Sequence, residues 1–158
     1  MHGPSRGTQV LNPDYKEMLS TLSDERAEFI VVGAYALAVY GFPRATGDID
    51  IWIRRSSDNA QRVWRALLKY GVPLLGLTKE DLTTAGIVFQ IGLAPRRIDI
   101  LTSIDGVEFD EAKSQCKIVE IEGVKIPIIS RNHLIQNKKA TNRLQDVADV
   151  AWLENETQ

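Results

Sequence analysis

At 158 residues, 44% hydrophobic and 25% charged, the chain has the length of one domain and the composition of an ordinary globular protein. Its net charge of −2 supplies no general basic field for nucleic acid, though it leaves room for a local basic patch, and no apolar run reaches the roughly 18 residues of a membrane span. A single cysteine, Cys116, cannot close an internal disulfide, which fits a reducing cytoplasm, and His2 and His133 are too few for a histidine-based zinc site.

Met1-His2-Gly3-Pro4-Ser5-Arg6-Gly7 has no apolar stretch of the secretory kind, so residues 1–12 read as a disordered leader and 13–158 as a single domain. Tyr15, Met18, Leu19 and Leu22 then recur at helical spacing. Phe29-Ile30-Val31-Val32 is wholly apolar, as in a strand buried on both faces. Gly33 ends it, and 34–40 reads as a short helix closed by Gly41. Pro43 and Gly47 break the loop leading into a strand over 48–53. Ser56 or Ser57 caps a helix that runs to Gly71-Val72-Pro73. A capped turn over 78–82 comes next, then two strands, 87–93 and 97–102, joined by Ala94-Pro95.

A short helix is predicted over 107–115. Strands over 117–121 and 124–129 flank Glu122-Gly123, a strong hairpin signal. Ser130 caps a further helix, and a last one runs to about Glu154 with Leu144, Val147, Val150 and Ala151 on one stripe. This succession predicts an α/β or α+β domain, a mixed sheet flanked by helices with two helices at the C-terminal end.

The chemistry concentrates in Gly47-Asp48-Ile49-Asp50-Ile51-Trp52-Ile53. Strand side chains alternate faces, so Asp48 and Asp50 share one face and Ile49, Ile51 and Ile53 the other. Asp99 sits in a second apolar strand, Arg97-Ile98-Asp99-Ile100-Leu101, pointing away from the face that Ile98 and Ile100 share. Carboxylates on apolar strands are rarely buried unless paired or bound to a cation, and three of them suit a hard divalent ion. Two such ions about 3.5–4 Å apart are a known device for in-line phosphoryl chemistry.

Gly33-Ala34, then about a dozen residues, then Asp48-Ile49-Asp50, then Asp99 resembles the signature of the nucleotidyltransferase superfamily that includes DNA polymerase beta. The string Phe29 to Ile53 is similar to small bacterial members, notably toxin-like proteins of the AbiEii type, and the resemblance spans about residues 27 to 154. It implies a nucleotidyltransferase-like mixed sheet, an NTP substrate and Mg²⁺, with Mn²⁺ as a substitute, held by Asp48, Asp50 and Asp99. It further implies that Asp99 either binds the metal or takes the proton from the attacking hydroxyl. Gly33 and Ala34 would approach the nucleotide through their backbone. The residue after Gly33 is usually Gly or Ser in the family, so Ala34 is a departure that removes a hydroxyl but keeps the amide.

By the same resemblance Arg44 and Thr46, in the loop before the catalytic strand, would touch nucleotide or acceptor phosphate. Asn137-Lys138-Lys139-Ala140-Thr141-Asn142-Arg143 implies that a lysine, Lys138, and Arg143 border the triphosphate. Read without it, these side chains are a solvated helix face with an i,i+3 pair between Arg143 and Asp146. Tyr35 reads as core or as a stacking surface for a base, Cys116 as a small buried hydrophobe and His133 as structural.

The resulting expectation is a cytoplasmic enzyme that moves an NMP from an NTP to an acceptor hydroxyl on RNA, protein or a small molecule, with no membrane partner. A chain this short has little room for acceptor recognition, which points to a partner subunit or a second copy, and the toxin-like resemblance implies an antitoxin as a further partner. Two rivals stand beside it: a non-catalytic nucleotide-binding or interaction module of the same fold, favoured by Ala34, and a metal-dependent nuclease, disfavoured by the Gly33 turn.

Overall fold

The computed structural model describes residues 11–42, 47–93 and 95–155. Six strands form one sheet: β1 (Phe29–Val32), β2 (Asp48–Ile53), β3 (Val88–Ile91), β4 (Arg97–Leu101), β5 (Lys117–Ile121) and β6 (Val124–Ile128), in the spatial order β3-β4-β2-β1-β6-β5. The α-helices are α1 (Pro13–Asp24), α2 (Gly33–Val39), α3 (Ser57–Tyr70), α4 (Phe109–Gln115), α5 (Arg131–Thr141) and α6 (Leu144–Asn155), with a 3₁₀ turn over Glu80–Thr83. None of these helices is long and apolar enough to cross a membrane.

The sheet is mixed. β1 pairs antiparallel with β2 and parallel with β6, while β2 runs parallel to β4. The hairpins β3–β4 and β5–β6 close its two ends. Glu122 and Gly123 both take positive φ, 51° and 80°, which a two-residue turn matched to strand twist requires. One face carries the fully buried Ile49, Ile51 and Ile53 of β2, with Phe29 and Val31 in register beside them on β1. α1 and α3 pack on each other through Met18, Leu19 and Leu22 against Ala60, Val63, Ala66 and Leu67, all within one continuous core.

The described part of the chain begins at Leu11, within the 1–12 stretch that the sequence reads as a leader. Leu11 is buried and its N–H donates to Glu122 Oε2 at 2.8 Å. The Asn12 side chain caps α1 by accepting from the N–H of Asp14 at 2.7 Å. Residues 1–10 lie outside the described part.

A correction concerns α6. Of its stripe of Leu144, Val147, Val150 and Ala151, only Val150 is half-buried and the rest face outward, Leu144 being 92% exposed, while Asp146, Asp149 and Leu153 are buried. The reason is an ion-pair network described below, which turns the acidic stripe of the helix inward.

Candidate active site

The β2–β4 register brings the carboxylates together. Asp50 stands opposite Asp99, and Asp48 opposite Arg97, on adjacent parallel strands. Cross-strand partners share a face, so Asp48, Asp50, Arg97 and Asp99 form one polar patch on a sheet whose other face is core. Gln90 of the edge strand β3 is Asp99's neighbour on its far side.

Arg97 binds two of the three carboxylates. Its Nε donates to Asp99 Oδ1 at 2.8 Å, and its Nη2 donates to Asp99 Oδ2 and to Asp48 Oδ2, each at 3.1 Å. Asp99 is only 6% exposed, and this fork gives both of its carboxylate oxygens a partner. Local sequence pattern gives Arg97 no particular partner. That its partners are the candidate ligands themselves follows from the pairing of β2 with β4, which no local pattern announces.

Asp50 is the perturbed member. Burial, then the charge of Asp99, then that of Asp48 push its pKa up to about 6, against a smaller opposing pull from Arg97. Its carboxyl also hydrogen-bonds to that of Asp99. The patch is therefore short of positive charge even with Arg97 present. Among the described residues no three Asp, Glu, His or Cys side chains converge as a finished metal cage. The Arg97 guanidinium stands between Asp48 and Asp99 instead.

Gly33 has a structural reason. Its φ is +69°, and a Cβ there would collide with Asp50 Oδ2, so the turn from β1 into α2 admits the carboxylate only because position 33 is bare. Ala34 follows in the first turn of α2. Gly47 is bare for a similar reason: a Cβ would strike the Pro95 carbonyl oxygen. The Tyr15 hydroxyl donates to the Gly47 carbonyl at 2.6 Å, and the N–H of Arg97 donates to the same oxygen at 3.2 Å. Burial raises the Tyr15 pKa, with Asp48 adding to it, so the hydroxyl remains a donor. Tyr15 was legible only as a helix core residue, because its hydroxyl partner lies far away in sequence.

Arg44 and Thr46 lie outside the described residues. Lys138 and Arg143 do not behave alike. Lys138 is 5% exposed, with Nζ at 3.0 Å from Asp149 Oδ2 and 3.5 Å from Asp146 Oδ1. Arg143 grips Asp146 with two prongs, Nε to Oδ2 at 2.7 Å and Nη2 to Oδ1 at 3.1 Å, while its side chain stays 67% exposed. Hydrogen bonding to Asp146 holds the guanidinium charged, and Asp149 and Asp50 add to this, so Arg143 lies within electrostatic reach of the carboxylate patch. Burial would raise the Asp146 pKa, but Arg143, the Thr141 hydroxyl at 2.6 Å and the Arg143 N–H hold it well below the usual carboxylate range.

A separate cavity of about 270 Å³ opens at the carboxyl ends of β2 and β4, between Trp52, Arg54, Ser103 and Phe109; it includes none of the three aspartates. Tyr35 packs edge-on to Tyr15 with ring centres 6.4 Å apart. His133 is buried, its backbone N–H donating at 3.1 Å to the hydroxyl of Ser130, the residue that caps α5, and its ring Nδ1 lying 3.2 Å from the same hydroxyl.

No known family description and no curated protein matches the chain. Solved structures do. A Thermotoga maritima protein, TM1012, named provisionally as a nucleotidyltransferase, superposes with a TM-score of 0.60 at 18% identity, over 93% of this chain and 96% of that one. The lincosamide antibiotic adenylyltransferase LnuA, in its lincomycin-bound form, superposes with a TM-score of 0.58 at 15% identity, over 94% of this chain and 99% of that one. The chain has the fold of these nucleotidyltransferases across nearly its whole length.

Proposed function

We propose that the chain is a metal-dependent nucleotidyltransferase that moves an NMP from an NTP to an acceptor hydroxyl. The observation that carries this reading is the pairing of Asp50 with Asp99, beside Asp48, on one face of two parallel strands and against the bare Gly33 turn. The fold likeness to TM1012 and LnuA supports it. The donor set fits Mg²⁺ or Mn²⁺: three carboxylates, with no nitrogen or sulfur among them. Asp48, Asp50 and Asp99 would hold the ion, which when bound neutralises phosphate charge as pyrophosphate leaves.

The chain's own groups supply orientation and proton handling. Gly33 and Ala34 offer backbone N–H groups beside Asp50. Arg143, fixed by Asp146 and still exposed, offers a guanidinium to phosphate oxygens, and Arg44 and Thr46 are assigned to the same anion. Lys138 enters the proposal as support: its ammonium is committed to Asp149 and Asp146, the latter being the residue that aims Arg143. Asp99 is the one of the three that, in place of completing the metal site, would accept the proton of the attacking hydroxyl. Positioning and charge then carry most of the rate, as in other phosphoryl transfers.

The acceptor stays within RNA, protein or small molecule. LnuA's lincosamide favours a small molecule, and the AbiEii-type resemblance favours RNA or protein with an antitoxin, a partner subunit or a second copy alongside, in the cytoplasm. The non-catalytic reading draws on Ala34 and on the guanidinium lodged among the carboxylates. Pyrophosphate release separates the two. With each NTP, Mg²⁺ and a cell lysate, the enzyme reading expects release above background that Asp50→Asn abolishes, whereas equal release from both proteins contradicts it.

A further inference from the structure

We propose that Arg97 is a built-in counter-cation: its Nη2 holds the seat between Asp48 Oδ2 and Asp99 Oδ2, and it must give up that seat when a divalent cation and its nucleotide bind. The inference rests on the metal-dependent reading above and adds to it a positioning residue and a coupling between the two ligands.

The geometry carries it. One nitrogen, Nη2, touches an oxygen of each of two candidate ligands at 3.1 Å, and those oxygens belong to different strands. A cation that takes both oxygens cannot coexist with that nitrogen between them. The backbone of Arg97 is fixed, its N–H donating to Gly47 and its carbonyl lying 3.5 Å from the Tyr15 hydroxyl. Its side chain is 29% exposed, so the guanidinium can swing out without disturbing β4. Three aspartates against one arginine leave the patch negative, which keeps it attractive to a divalent ion despite the occupant.

A displaced guanidinium beside a cation is repelled unless it finds an anion. A nucleoside triphosphate delivers one. Metal alone should therefore bind weakly, because it must expel Arg97 into water, and metal with nucleotide should bind much more tightly, because Arg97 gains phosphate oxygens in exchange. In this way Arg97 makes cation and nucleotide arrive together, as reciprocal linkage demands.

The test is Mn²⁺ affinity, read by electron paramagnetic resonance, with and without a saturating NTP analogue that cannot transfer its NMP. It is run on the wild-type chain, Arg97→Gln and Arg97→Lys, each checked for folding by circular dichroism. Arg97→Gln is expected to bind Mn²⁺ alone roughly tenfold or more tightly than wild type and to lose most of the tightening that nucleotide confers. Arg97→Lys keeps the charge but loses the fork, and is expected to fall between; it carries the test if Arg97→Gln does not fold. A merely structural ion pair would not shift the ratio of the two affinities. Unchanged or weaker Mn²⁺ binding in the variants, with the nucleotide effect intact, overturns the inference while leaving the enzyme reading standing. Failure of the wild type to bind Mn²⁺ even with nucleotide overturns both.

Discussion

Asp50 shows how one side chain trades stability for a site. Its folded pKa of about 6 lies above the model-peptide 3.8, so the carboxyl is protonated in the folded chain at pH 5 and charged at pH 8. For a raised acid, stability is fully present below the unfolded pKa and is lost as pH rises through the folded one. The groups facing it are Asp99, Asp48 and Arg97, with Arg143 farther off. Asp50→Asn is therefore expected to raise stability at pH 8 by about 3 kcal/mol and to change it little at pH 4. Melting curves at the two pH values check this; equal effects at both contradict it. Tyr15→Phe removes a 2.6 Å bond to a carbonyl that keeps a second donor, so it should cost about 1 kcal/mol in denaturant titration. The aspartates themselves were legible, since strand alternation isolates them among isoleucines. Arg97's partners, Asn59 and the Tyr15 hydroxyl were not, because each acts through a partner on another element. Asn59, for instance, is buried to clasp the Glu28 and Arg54 carbonyls at 3.0 and 2.9 Å.

Among the elements, α6 departs most from its pattern. A helix normally turns its apolar stripe inward. Here Asp146 and Asp149, one turn apart on the opposite stripe, meet Lys138 from α5, and with that acidic stripe inward Leu144 and Val147 are left exposed. The sequence held the clue in the i,i+3 spacing of Arg143 and Asp146, but a solvated pair and a buried one look alike until the neighbouring helix is placed. Lys138→Met should take one ammonium away from two buried carboxylates, of which Asp146 keeps its Arg143 fork, and cost about 3 kcal/mol, measured by denaturant unfolding. Leu144→Ser should change stability by no more than about 0.5 kcal/mol, whereas Leu153→Ala should cost about 2–5 kcal/mol. A Leu144→Ser penalty matching that of Leu153→Ala would place α6 the other way round. Strand and helix positions elsewhere were readable from period and capping: Ser56 and Ser130 cap α3 and α5 as expected.

For the whole molecule, the site is a product of topology. β1 and its Gly33 turn, β2 and β4 come from three separate stretches, and only the order β4-β2-β1 sets Asp99, Asp50 and Gly33 side by side. The sequence named these residues; it could not state which strands neighbour each other, and so could not show the guanidinium among the carboxylates. The central claim, that this arrangement transfers a nucleotide, is tested most directly by supplying α-labelled and γ-labelled NTP in parallel with Mg²⁺ and a lysate. The account predicts label in product from the α position alone, lost in Asp50→Asn. Label from the γ position would make the chain a kinase, and no incorporation from either would contradict the claim outright.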